Sequence, residues 1–279
     1  MKKSFWLWLI AFILTLLTAV YQRMTGPTYP VSGNVFVEGE RIEYKLERSH
    51  GGEGDHPVEI NIDDEKIRGE LFWKRYKTND DWSSSEMIRQ NNKLVASLPH
   101  QPPAGKLVYH IVVHKDNEIV TIPESGEVVI RFKGDVPIAF LIPHILFIFG
   151  AMLLSTRTGL EYFNTGKKFK PLTVLTFIFV IIGGFILGPI IQYYAFGAFW
   201  TGFPFGHDLT DNKILVGFIG WLLALIAIYK FKNPRRWIVF ASLLMFIIFL
   251  IPHSVLGSEL DYNEMDNKTK SEIQSNYLR

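Results

Sequence analysis

Five apolar runs constrain this chain more than any other feature. Residues 5–20 read FWLWLIAFILTLLTAV, and further runs occupy 136–154, 172–196, 214–229 and 237–251. Crossing ~30 Å of hydrocarbon takes ~20 residues of helix, and a lipid-exposed backbone must satisfy its own hydrogen bonds, so each run predicts a membrane helix. The overall hydrophobic content of 48% would also suit a soluble protein. What points to a bilayer is its gathering into blocks.

Lys2 and Lys3 precede the first run, which is the charge layout of a signal peptide or signal anchor. A cut after Ala19 would put bulky Leu17 where a signal peptidase prefers a small residue. The reading is therefore an uncleaved transmembrane anchor over residues 1–24.

Basic residues set the expected orientation. Arg157, Lys167, Lys168 and Lys170 follow the run at 136–154, and Lys230, Lys232, Arg235 and Arg236 follow the run at 214–229. Loops rich in lysine and arginine stay in the cytoplasm. Residues 29–133, the loop 197–213 and a polar tail 253–279 are then expected outside it, with a four-helix transmembrane domain over 136–252. Gly217 and Gly220 make 214–229 the weakest of the runs, and the tail composition predicts a solvated helix or disorder.

A formal net charge of +2 gives no basis for nucleic-acid binding, because the basic residues are explained by topology. The absence of cysteine excludes disulfides, thiolate metal sites and cysteine nucleophiles.

Between residues 29 and 133 the pattern becomes short alternating segments bounded by Gly, Pro, Asn and Asp: VEINID at 58–63, GELFWKRY at 69–76, KLVYHIVVHK at 106–115 and EVVIRF at 127–132. Alternation at Val58, Ile60 and Ile62, and at Leu107, Tyr109, Ile111 and Val113, predicts strands with one face on a core, with Trp73 and Trp82 expected to fill it. The stretch LVASLPHQPPAGKLVYHIVV, with Leu98-Pro99 before a turn and Tyr109, Ile111 and Val113 on the next strand, resembles the end of a fibronectin type III or immunoglobulin-like module. That resemblance implies an all-β sandwich and no particular activity. The fold class expected is thus a multi-domain membrane protein: an extracytoplasmic sandwich inserted between an N-terminal anchor and a four-helix bundle. His110 and His114 fall on one strand face ~13 Å apart, too far to share a metal.

Two polar groups are expected on the outer membrane face. The loop WTGFPFGHDLTDNK at 200–213 brings His207, Asp208 and Asp211, with Trp200, Phe203 and Phe205 suited to headgroup depth. The segment PHSVLGSELDY at 252–262 brings His253, Ser254, Glu259 and Asp261 from the end of the last run. His144, the only strongly ionisable side chain read as lying well inside a span, sits about 12 Å below the outer end.

His144, His207 and His253 with Asp208 and Asp211 have the chemistry to hold a divalent transition metal, or a haem between two imidazoles. The competing reading makes Asp208, Thr210 or Asp211 a helix cap and the histidines plain hydrogen-bonding residues.

Transport fits poorly, since the spans hold almost no other polar steps than His144 and Gln192. A Ser254 nucleophile lacks the G-x-S-x-G context. An accessory or scaffold subunit fits throughout, with the lipid bilayer and an extracytoplasmic protein as partners and Gly183, Gly184 and Gly188 as helix-packing positions.

Overall fold

The computed structural model describes residues 2–124, 126–164 and 166–277. They form two compact units, Met1–Pro27 with Val136–Ser258 and Thr28–Asp135 with Glu259–Arg279. Each is built from separated stretches of sequence.

The helical unit contains α1 (Lys2–Thr25), α2 (Ile138–Leu160), α3 (Phe169–Val180), α4 (Gly188–Phe196), α5 (Leu209–Lys230) and α6 (Arg235–Leu250). A π-helical segment, Ile181–Leu187, joins α3 to α4 without a break. Among the described residues, four stretches are long and apolar enough to cross a membrane: Lys2–Thr25, Ile138–Phe163, Phe169–Phe196 and Leu209–Lys230. The fifth run yields only the 16-residue α6. At 1.5 Å per residue it extends about 24 Å, short of the ~30 Å hydrocarbon thickness. Ile251 turns extended at φ −72°, ψ 120°, the conformation a following proline imposes.

Small residues set the helix spacing. Ala151, Ala224 and Ala241 are buried with Met152, Trp221 and Met245 in one cluster. A Cβ on Gly217 would lie 2.9 Å from the Met245 sulfur, and one on Gly183 would lie 3.1 Å from the Ile148 backbone nitrogen. The glycine that weakens α5 in isolation is what lets it approach α6. The N-terminal helix packs against α2 and α6: Leu7, Ala11, Thr15 and Thr18 are buried, and the Gln22 amide donates to the Phe249 carbonyl.

The β unit contains β1 (Val31–Val37), β2 (Glu40–Leu46), β3 (Ser49–Gly51), β4 (His56–Asn61), β5 (Arg68–Arg75), β6 (Ser83–Glu86), β7 (Ile88–Gln90), β8 (Lys93–Leu98), β9 (Lys106–Lys115), β10 (Glu118–Ile122) and β11 (Val128–Lys133). One sheet has the order β3-β11-β9-β5-β6, with β10 also on β9; a second is β4-β8-β7, and β1-β2 is a hairpin. Their inner faces share one core, in which Val58 and Ile60 meet Leu71, Leu94, Tyr109, Ile111 and Val113. The expected alternation holds: β4 buries every second residue. Antiparallel pairing dominates, and the short β3 joins β11 in parallel. Trp73 packs on the core from its margin. Trp82 departs from expectation: it is 36% exposed and lies edge-on to His110 with Lys74 over its ring.

The tail expected over 253–279 divides between the units. From Glu259 onward it folds on the β unit, where α7 (Tyr262–Tyr277) forms. Leu260 N–H donates to Ala104 O at 3.1 Å, and buried Tyr262 hydrogen-bonds Gln101 Oε1 at 2.9 Å. The Arg75 guanidinium grips Asp266 through two bonds of 2.9 and 2.8 Å and Asp80 through bonds of 2.6 and 3.1 Å.

Candidate functional site

The two expected polar groups meet at one end of the helical unit. Asp208 is the N-cap of α5: its Oδ1 accepts from Thr210 N–H at 2.7 Å. Its Oδ2 accepts from both the amide and the hydroxyl of Ser258, at 2.7 and 2.9 Å, which ties the segment after α6 to the start of α5. Asp211 Oδ2 takes the amides of Thr201 and Gly202 at 2.7 and 3.0 Å, and Asn212 Oδ1 takes that of Phe203 at 2.7 Å. The loop 200–206 is thus held by its main-chain amides on two side chains of α5, Asp211 and Asn212. A Cβ at Gly202 would sit 2.6 Å from that of Asp211, so only glycine fits there.

Electrostatics follow from these contacts. Burial raises the Asp208 carboxyl, but its bonds from Ser258, Thr210 and the Asp211 amide outweigh that and hold it below the usual carboxylate value. Lys213, 7% exposed, donates to Ile251 O at 3.0 Å, and Gln22 reaches the same carbonyl at 3.5 Å. The frayed C-terminal carbonyls of α6 are therefore capped from α1 and α5. Lys213, expected in a loop, lies inside α5.

The remaining residues of the expected site do not gather on these carboxylates. His144 Nδ1–H donates to Gly183 O in the π-helical segment at 3.1 Å. His207 and His253 are exposed. Among the described residues no three His, Cys, Asp or Glu side chains come together as a metal would require. The physical reason is that Asp208 and Asp211 direct their oxygens at amide donors.

No protein-family model, curated protein or solved structure matches this chain. The chemistry of the site therefore rests on its own geometry.

A second polar centre, unexpected from the sequence, lies at the other end of the bundle. Arg157 and Glu161 form an ion pair of 2.8 Å with both side chains fully buried. Ser4 Oγ accepts from Arg157 at 3.3 Å, Trp8 lies under the guanidinium, and Asn164 donates to both Glu161 oxygens at 3.1 and 3.2 Å. Arg157 Nε and Nη1 are buried without a partner. The reading that placed Arg157 in a loop ended the helix at residue 154, but α2 continues to Leu160. The spacing Arg-x-x-x-Glu directly after an apolar run was the available signal, since it puts opposite charges on one helix face.

Proposed function

We propose that this chain is a non-catalytic accessory or scaffold subunit of a membrane complex, a multi-pass protein displaying an immunoglobulin- or fibronectin-type-III-like sandwich as an extracytoplasmic docking module. The observation that carries this reading is the engagement of Asp208 and Asp211 by main-chain amides. Carboxylates so occupied hold loops in place and have few lone pairs left for a metal.

The topology is supported by the tail. The chain leaves the β unit at Asp135 and rejoins it at Glu259, which supports an even number of crossings by the helices between. Ile138–Phe163, Phe169–Phe196 and Leu209–Lys230 account for three crossings, which favours α6 as the fourth despite its length. A short span is accommodated by local thinning of the bilayer at a modest cost. The basic residues of 157–170 and 230–236 then lie on the cytoplasmic side by the positive-inside rule.

On the β unit, Phe36, Ile88 and Ile119 are 59%, 68% and 72% exposed and supply apolar surface for a partner protein. Native purification from membranes tests the reading. A stoichiometric protein partner, with no bound metal or haem, is expected. A partner-free homo-oligomer carrying one metal or haem per chain would refute it.

The alternative, a metal- or polar-ligand site on the outer face, draws its support from His144. Donation from Nδ1–H to a carbonyl leaves the Nε2 lone pair available, as in histidines that ligate metals. Visible absorption and metal content of the same preparation, repeated for His144→Ala, His207→Ala and His253→Ala, separate the two readings.

A further inference from the structure

The turn between β3 and β4 draws three histidines together, and Gly52 and Gly54, at φ +93° and +94°, allow it to fold back. Gly54 O lies 3.2 Å from His50 Nε2 and 3.0 Å from His100 Nδ1, so each of those nitrogens carries a proton. His50 Nδ1 and His56 Nδ1 are 3.2 Å apart, with the rings 4.9 Å centre to centre. His56 is buried, and Phe132 of β11 backs both His50 and His100.

The proton arithmetic of this pair is restrictive. With both rings neutral, Gly54 fixes His50 as the Nε2–H tautomer, so His56 Nδ1–H donates to His50 Nδ1. One further proton leaves that hydrogen bond intact, because one Nδ1 of the two remains an acceptor. A second added proton sets Nδ1–H against Nδ1–H and adds like-charge repulsion.

We propose that His50 and His56 form a proton-operated latch on β3: one added proton is accommodated in their contact, and a second breaks it and frees residues 49–52 from β11. The strand is poised for release. Its pairing covers only Ser49–Gly51 against Arg131–Lys133, with Arg131 N–H on Arg48 O and Gly52 N–H on Lys133 O, both at 3.2 Å. Opening would leave that edge of β11 with unpaired main-chain groups, a surface on which a strand of a partner can add.

Charged groups of both signs surround the pair. Glu47 favours the His56 cation, and Arg48 adjoins β3. From β11 and its continuation come Arg131, Lys133 and Asp135, the last beside Gly52; from the neighbouring turn comes Asp55, which binds the His100 amide. Burial first, and the His50 charge second, push His56 down to about 4.

Hydrogen exchange on the full chain in lipid nanodiscs tests the latch, with each rate normalised to the intrinsic rate at that pH. Protection at residues 49–52 and 131–133 is expected to be flat above about pH 6.5 and to fall at least about tenfold by about pH 4.5 relative to β5 and β9. His56→Gln and His50→Gln each place an amide that can donate or accept, and each is expected to flatten the profile. His100→Gln is expected to keep it. A wild-type profile parallel to β5 and β9 would overturn the latch, as would an undiminished response in both glutamine variants.

Discussion

Arg75 and Asp266 lie 191 residues apart and join through two parallel hydrogen bonds, fastening the C-terminal helix to the end of β5. Asp80 takes the rest of the same guanidinium, so Arg75 is a single cation shared by a turn of the β unit and by α7. The bonds to Asp80 and Asp266 hold the guanidinium well above its ordinary value and keep Asp266 below the usual carboxylate range.

Asp266→Asn should therefore loosen α7. Limited trypsinolysis at Lys268 and Lys270 is expected to speed up several-fold in the variant and, in the wild type, in high salt, which screens exposed pairs. A carboxylate with a depressed folded pKa contributes above its unfolded value and loses that contribution as pH falls. The helix should hold at pH 5 and detach below the ordinary aspartate value of 3.8.

Asp208→Ala removes the cap of α5 and the anchor of Ser258 together. An N-cap alone contributes about 0.5–2 kcal/mol, so a drop of several degrees in detergent melting is expected, with only part of it recovered in Asp208→Asn, whose one amide oxygen can serve Thr210 or Ser258 and not both. An unchanged melting temperature would mean that the loops hold without this carboxylate.

Arg157→Met and Glu161→Met should each cost about 3–5 kcal/mol, because each strands a buried charge. Arg157→Met combined with Glu161→Met should cost far less than the two single losses added. A double-mutant cycle on thermal unfolding reads the difference, and additive losses would contradict the buried pair.

His56 is neutral in the folded state, so stability should decline as pH falls from the unfolded value of 6.5 towards about 4, where the unfolded chain binds the extra proton. At ~1.4 kcal/mol per pH unit, the total is about 3 kcal/mol. Urea unfolding of the full chain at pH 7.5 and 4.5, wild type against His56→Gln, measures it: the variant should lose most of that dependence.

Because the chain has no cysteine, single cysteines can be placed freely. Glu118→Cys is expected to react with an impermeant maleimide in intact cells, and Lys232→Cys only after lysis. The reverse pattern would invert the proposed topology.

Much of the architecture is legible along the chain because its causes are local or solvent-wide. Lipid solvates neither charge nor unpaired backbone, so apolar runs mark the helices, and the two-residue period of a half-buried strand marks Val58–Ile60 and Leu107–Val113. Other features depend on what arrives from elsewhere. Arg157 and Lys213 look like loop cations until Glu161 and the carbonyl end of α6 provide partners that let the helices run on through them. Asp208 and Asp211 offer the same oxygens to a metal or to an amide, and it is the approach of Thr201, Gly202 and Ser258 that gives those oxygens to the backbone. Hydrogen bonds reach about 3 Å, so their partners are assigned by packing between segments far apart in the chain, which no pattern of neighbouring residues encodes.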